Sequence, residues 1–288
     1  QLASVALMDA RSIAATAANG GILTPATEVS YTKKVKKYFF DAEIYKNRVY
    51  HGAGKAQREE QLKYGPNIAD WPEMIPMGRH LLMKAASVIT DPVTTTDELI
   101  PSGETSSYRS NPMKLAEFAL SRKDPAYVGR AKAIKADEDA RRETGKLPES
   151  VLKELGGFTP AEGTIYGSFV AAVKPGDGSA REQAASCQRV LGGVANIAQE
   201  YATKRYRSNL INWGMLPLLA DKLRLKVGDY IYIENVARYI EEGAAKIPAK
   251  LISRGTVKEI ELGMDALTPD EKRIILSGCL INFNAGKK

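Results

Sequence analysis

The chain has 288 residues, 44% hydrophobic and 26% charged, so it is long enough to bury a sizeable core and does not have the composition of a disordered tail. Its two cysteines are too few for a disulfide framework, or for an unaided zinc or iron–sulfur site. The formal net charge of +7 favours anionic partners but does not distinguish among nucleic acid, acidic lipid and small polycarboxylates.

The amino-terminal part begins with an alanine-rich run. Residues 8–18 predict a helix, because the glycine pair after Asn19 is a typical helix stop. Residues 35–40 predict a short strand. Residues 45–80 are rich in glycine and proline with little periodicity, which predicts a linker that crosses a surface.

The remainder mixes strands with helices, which predicts an α/β protein. The predicted strands are 81–89, 165–173, 194–197, 230–234, 250–253 and 256–262. The predicted helices are 112–123, 131–142, 199–213 and one that starts after Thr268. No apolar run is long enough for a membrane span and no signal peptide is visible, so we expect a cytoplasmic protein without a membrane partner.

The densest basic stretch is Lys33-Lys34-Val35-Lys36-Lys37, and aromatic residues flank it. It could contact phosphates and stack bases, or it could be a solvated edge strand whose lysines discourage pairing. We favour the edge strand, because no nucleic-acid-binding motif accompanies the cluster.

The strongest chemical signal is a strand, a glycine-rich loop and a helix start around Ser179. Gly176 and Gly178 allow the backbone to approach a ligand closely. Ser179 and Glu182 match the S-x-x-E capping pattern, which predicts Ser179 as the N-cap. A cation at Arg181, in the first helical turn, is favourable only if an anion faces it. From the residues alone, an anion-binding pocket and a plain capped helix both stay open.

Four motifs in order resemble the carboxyl-terminal swivelling domain of the aconitase superfamily. They are Gly178-Ser179-Ala180-Arg181-Glu182, Thr95-Thr96-Asp97 with Pro101-x-Gly103, Tyr108-Arg109-Ser110, and Ser208-Asn209-Leu210 with Gly214-Met215-Leu216-Pro217-Leu218. The resemblance implies a β/β/α swivelling domain over residues 81–288. It also implies that residues 1–44 are the tail of a preceding α/β/α domain and that residues 45–80 are the linker between the two.

The resemblance also implies roles for individual residues. Ser179 would be the base that takes a proton beside a substrate carboxylate, and Asp97 would order the hydrogen bonds of the site. Arg109 and Arg181 would bind substrate carboxylates. Ala180 occupies a substrate-binding position where aconitase itself often has a second serine, and Glu98 replaces the histidine that follows Asp97 in the family.

By this resemblance the chain is the carboxyl-terminal part of a hydro-lyase that hydrates and dehydrates a hydroxy di- or tricarboxylic acid. Its [4Fe–4S] cluster would have its ligands outside this chain, in amino-terminal domains or a subunit that acts as the partner. The alternative is an RNA-binding or scaffold module without turnover of its own. A salt-dependent gel shift would separate the two.

Overall fold

The computed structural model describes residues 5–30, 37–48, 51–221 and 224–286. The chain divides into two compact units, Gln1–Gln61 and Leu62–Lys288. This division falls inside the stretch predicted as the linker. The domain boundaries at residues 44 and 80 stay predictions.

The amino-terminal unit has little regular structure in its described part. Helix α1 spans Ala10–Ala18, a 3-10 turn spans Ala26–Glu28, and α2 spans Glu43–Lys46. The carboxylate of Asp9 caps α1, and the helix ends at Asn19 as predicted. Residues 35 and 36 of the predicted strand lie outside the described residues. Residues 37–40 have no regular structure, so the prediction is wrong for them.

The second unit alternates strands and helices along the chain. Its strands are β1 His80–Ile89, β2 Thr94–Thr95, β3 Thr164–Ala172, β4 Pro175–Asp177, β5 Gly193–Ala198, β6 Leu216–Leu219, β7 Tyr230–Ile233, β8 Lys246–Ser253 and β9 Thr256–Gly263. Its helices are α3 Thr96–Leu99, α4 Pro112–Ala116, α5 Tyr127–Thr144, α6 Glu149–Glu154, α7 Arg181–Val190, α8 Lys204–Asn212, α9 Val236–Glu242, α10 Pro269–Leu276 and α11 Leu280–Ala285. A 3-10 turn spans Ser106–Tyr108.

Strands of this unit close into a barrel in the order β1-β3-β5-β6-β9-β8-β7. The first four run parallel, while β7, β8 and β9 pair antiparallel and β7 returns to β1. The predicted mixed α/β class is therefore confirmed. The swivelling behaviour and the preceding α/β/α domain stay predictions.

Successive side chains along the strands alternate between two separate buried clusters. On β1, Leu81 and Met83 join one buried cluster, whereas Leu82 packs in the other. The first cluster includes residues of every strand of the barrel, and the second includes residues of α5, α7 and α8. Period-two alternation along β1 thus supplies both faces of a two-layer arrangement.

Two predicted helices are shorter in the structure than in the sequence pattern. Helix α4 ends at Ala116 rather than at residue 123, and Leu120 beyond it has a left-handed backbone with φ 56°. Helix α8 starts at Lys204 rather than near residue 199, because the hydroxyl of Thr203 caps it by accepting from the N–H of Tyr206.

Residues 69–77, which we call the docked segment, cross the surface of the second unit. The ring of Trp71 lies 4.4 Å from that of Trp213, between centroids. The carbonyl of Ile75 accepts a 2.6 Å hydrogen bond from Arg189, and the N–H of Ala69 donates to the carbonyl of Ser110 at 3.0 Å. Although irregular, this segment is held at several points along its length.

Candidate functional site

Two loops that carry predicted motifs lie side by side. After β3 the chain forms β4, which pairs in parallel with β2, so Thr95 lies opposite Asp177. Gly178 follows with φ 134°, and a Cβ added there would lie 2.2 Å from the hydroxyl oxygen of Thr96. Glycine at this position therefore allows the Thr95–Asp97 loop to contact the loop that carries Ser179.

The helix after Ser179 starts later than the capping pattern predicts. Ala180 is the N-cap of α7 and makes no side-chain cap hydrogen bond, so the predicted cap at Ser179 is wrong. Glu182 does not close a capping box. It accepts a 3.1 Å hydrogen bond from the indole N–H of Trp213. Within the described residues the exposed hydroxyl of Ser179 has no hydrogen-bond partner, which leaves it free to meet a ligand.

Ser179 opens onto a cavity of about 360 Å³, which we call the Ser179 cavity. Every lining residue is polar: Ser179, Arg181, Glu182, Lys204, Arg205, Ser208 and Asn209. The cavity thus brings together the loop before α7, the first turn of α7 and one face of α8.

The Ser179 cavity has a positive electrostatic balance. Arg181, Lys204 and Arg205 supply three cations against the carboxylate of Glu182. None of the three cations has an acidic partner among the residues that the structure describes. All three lie in the first turn of α7 or α8, where the partial positive charge of the helix end adds to their own. This arrangement favours a bound anion with more than one negative charge.

Asp97 lies beside this cavity but does not line it. It is exposed in α3 and its carboxylate forms a 2.5 Å ion pair with Arg122, which also binds Glu104 at 2.6 Å. Glu98 completes a capping box with Thr95. The backbone N–H of Thr95 donates to the Glu98 carboxylate, and this hydrogen bond is the main reason that the pKa of Glu98 lies below its ordinary value of 4.5. Acidic residues here fix the loop rather than reach the cavity.

Arg109 is exposed immediately after the 3-10 turn Ser106–Tyr108. Its guanidinium donates to the carbonyl of Ser102 at 3.4 Å, and Arg109 is absent from the lining of the Ser179 cavity. Ala180, the other predicted substrate-binding residue, is partly buried and packs against the core as the cap of α7. Of the predicted site residues, the structure places Ser179 and Arg181 in one cavity, with Ala180 between them in the chain.

Sequence reasoning missed the two basic residues at the start of α8, Lys204 and Arg205. No local pattern pointed to them, since they reach the cavity by following β5, the parallel neighbour of the strand that leads to Ser179. It also missed a closed network of buried amides. Gln188 donates to the hydroxyl of Tyr206 at 3.0 Å, Tyr206 donates to Asn196 at 2.8 Å, and Asn196 donates back to Gln188 at 2.6 Å.

The cysteines that the structure describes do not fit an iron–sulfur cluster. Cys187 is buried within α7 and Cys279 caps α11, and burial raises the pKa of the Cys187 thiol. In the described ranges no group of three or more His, Cys, Asp or Glu side chains could hold a metal ion. No helix of those ranges is long and apolar enough to cross a bilayer. The basic stretch predicted as an edge strand or phosphate-contacting patch lies mostly outside the described residues.

The fold and the site define an α/β barrel protein with a cationic cavity beside a serine that precedes a helix. Residues 168–223, which include β5, α7 and α8, match the family model described as the aconitase C-terminal domain. Over these residues the chain is therefore similar to the aconitase C-terminal domain, which confirms the resemblance drawn from its motifs.

Comparison with individual proteins gives two further similarities. The chain is 26% identical over 194 residues to an Emericella nidulans protein named as a mitochondrial aconitate hydratase, across 65% of this chain and 23% of that protein. It thus spans about a quarter of the length of that relative. A crystal structure of 3-isopropylmalate dehydratase from Methanocaldococcus jannaschii aligns with a TM-score of 0.45 and 21% identity, across 72% of this chain and 95% of that one.

Proposed function

We propose that this chain is the carboxyl-terminal part of a hydro-lyase that reversibly dehydrates a hydroxy di- or tricarboxylic acid. The observation that carries the proposal is an unpartnered serine at the edge of a cationic cavity, within the segment that matches the aconitase C-terminal domain. Serine is a weak base, so its alkoxide needs nearby positive charge. The first turn of α7 and Arg181 supply that charge beside Ser179.

In this proposal Ser179 acts on the C–H bond next to a substrate carboxylate. The alkoxide of Ser179 accepts the proton, and the electron pair stays on the substrate carbon and its neighbouring carboxylate. Arg181 binds that carboxylate by paired hydrogen bonds, which stabilises the extra charge as it develops. Departure of the hydroxyl requires groups outside this chain, and the [4Fe–4S] cluster that the family implies would belong to those groups.

Asp97 and Arg109 have secondary parts in the proposal. Asp97 holds Arg122, which also binds Glu104, so this ion pair fixes the loop that contacts Gly178. Arg109 is exposed and makes one long hydrogen bond, so its guanidinium is free to reach a substrate carboxylate that lies between this chain and its partner. Ala180 offers only backbone atoms for polar contacts, so a substrate makes one polar contact fewer there than it would with the serine that aconitase often has.

The partner in the proposal is the amino-terminal, iron–sulfur-bearing part of the same enzyme. Support comes from the amino-terminal unit, where large apolar side chains are exposed: Tyr38, Phe39 and Phe40 are 83%, 80% and 63% accessible. Exposure of neighbouring aromatic side chains is costly in water and is typical of a surface that another segment covers. We therefore assign residues 1–44 to a preceding domain.

Replacement of Ser179 tests the proposal. In the enzyme assembled with its iron–sulfur part, Ser179→Ala should lower kcat by two or more orders of magnitude (about 10²-fold or greater), because the base is removed. Its thermal melting and circular dichroism should match wild type, since Ser179 makes no hydrogen bond within the described residues. Ser150→Ala, in the exposed part of α6, is the matched control. Wild-type turnover in Ser179→Ala would contradict the proposal.

A further inference from the structure

The first turn of α8 carries two cations to which the proposed function assigns no role. Lys204 and Arg205 are both exposed and line the same cavity as Ser179 and Arg181. Neither forms an ion pair with any described residue. Cations at a helix start are unfavourable beside the positive end of the helix dipole, and a bound anion offsets this cost.

The position of these cations differs from that of Arg181. Arg181 belongs to α7 beside Ser179, while Lys204 and Arg205 belong to α8, on the other wall of the Ser179 cavity. Ser208 and Asn209 lie one turn further along α8 and add neutral hydrogen-bonding groups to that wall. A cavity of about 360 Å³ has room for a compact acid that reaches both walls.

The geometry between the two walls is fixed by buried contacts. The hydrogen-bonded network of Gln188, Asn196 and Tyr206 joins α7, β5 and α8. Its members are fully buried, so the first turns of the two helices hold their relative position. A preorganised pair of cationic walls discriminates between acids by the number and spacing of their carboxylates.

We infer that Lys204 and Arg205 form a second carboxylate subsite, which selects acids that carry a carboxylate distal to the one bound by Arg181. This inference rests on the proposed function, because it concerns the specificity of the same cavity. Arg205 can bind the distal carboxylate through two parallel hydrogen bonds, and Lys204 adds a point charge. A monocarboxylate binds only at the Arg181 wall, and Lys204 and Arg205 of α8 add nothing to its affinity.

The chain contains its own reporter for this binding. Its two tryptophans, Trp71 and Trp213, contact each other with tilted rings, and the indole N–H of Trp213 donates to Glu182 in the cavity lining. An anion that binds beside Glu182 changes the field at this indole. Intrinsic fluorescence therefore reports occupancy, and calorimetric titration gives an independent measure.

The test compares two probe acids on the full chain at low salt and neutral pH. Tricarballylate has three carboxylates and butyrate has one. We expect wild type to bind tricarballylate more tightly, and the double variant Lys204→Gln/Arg205→Gln to weaken tricarballylate about tenfold or more. The same variant should change butyrate binding by less than about twofold. Lys153→Gln/Lys258→Gln, which removes two exposed charges from α6 and β9, should leave both affinities unchanged.

Three results would overturn the subsite. They are an equal loss for both acids in the α8 variant, no loss for tricarballylate, and no binding of tricarballylate to wild type by either method. A melting curve of each variant excludes unfolding as the cause. Failure of the subsite is separate from failure of the proposed function, which is decided by turnover of Ser179→Ala in the assembled enzyme.

Discussion

Gly178 shows how one residue without a side chain positions a site. Its φ of 134° and the 2.2 Å approach to Thr96 leave no space for a methyl group. We expect Gly178→Ala to lower the free energy of unfolding by about 1–3 kcal/mol, because it adds backbone strain and a steric clash. Urea denaturation measures this. Gly103→Ala, where no atom lies within 4 Å of the added Cβ, should change stability far less. Equal effects would show that the close contact does not exist.

Glu98 provides a pH-dependent prediction at the same scale. Its pKa lies below 4.5, chiefly because its carboxylate accepts from the backbone N–H of Thr95 and also because Lys123 is near. A lowered pKa in the folded state stabilises the protein above pH 4.5, and this stabilisation is lost as the pH falls through the folded-state pKa. Stability is therefore highest, for this group, when the carboxyl is ionised.

We accordingly expect Glu98→Gln to destabilise the protein at neutral pH by about 0.5–1 kcal/mol. The difference from wild type should shrink below pH 4.5, where the wild-type carboxyl becomes protonated. Chemical denaturation over a pH series measures the difference. Glu241→Gln, at an exposed position in α9, serves as the control. A difference that is constant down to acid pH would assign the effect to something other than charge.

At the scale of elements, the packing of α7 against α8 determines the shape of the Ser179 cavity. Tyr206→Phe removes a buried hydroxyl, which leaves the amide oxygen of Asn196 without a donor and one of the two side-chain N–H groups of Gln188 without an acceptor. We expect a loss of about 1–3 kcal/mol in unfolding free energy. Tyr239→Phe, on α9, removes a hydroxyl that has no partner within the described part of the chain and should be nearly neutral. A neutral Tyr206→Phe would show that the network does not hold the helices together.

Much of the element pattern was predictable because hydrophobic runs in this chain are strong and well bounded. The apolar run near Phe169 predicts β3, and Thr268 predicts the start of α10; both are confirmed. The short capping pattern at Ser179 gave a wrong prediction of the helix start. Ser179 matches a cap pattern, but the helix begins beyond Ala180, so backbone geometry overrides the side-chain pattern there.

The site itself was predictable only in part. Ser179 and Arg181 are two residues apart in the sequence, so a local motif identifies both. Lys204 and Arg205 reach the same cavity through the parallel order of β3 and β5, which no local pattern encodes. Contacts between residues far apart in the chain depend on strand order and register, and these require the folded structure.

At the scale of the whole molecule, the two units differ in how they bury apolar surface. Both buried clusters consist of residues from Met74 onward. Among the described residues of the amino-terminal unit, only Ala15 and Thr24 are buried. We therefore expect a chain that lacks residues 1–61 to keep the circular dichroism and the cooperative melting of the full chain. Loss of cooperative melting after this deletion would show that the first unit contributes to the core.

The central claim is that Ser179 transfers a proton to and from a substrate carbon, and hydrogen isotope exchange tests it most directly. In D₂O, the assembled wild-type enzyme should replace the C–H proton beside a substrate carboxylate with deuterium, as followed by proton NMR. Ser179→Ala should lose this exchange while still binding the acid, because Arg181 and the cations of α8 are intact. Exchange at the wild-type rate in Ser179→Ala would contradict the account.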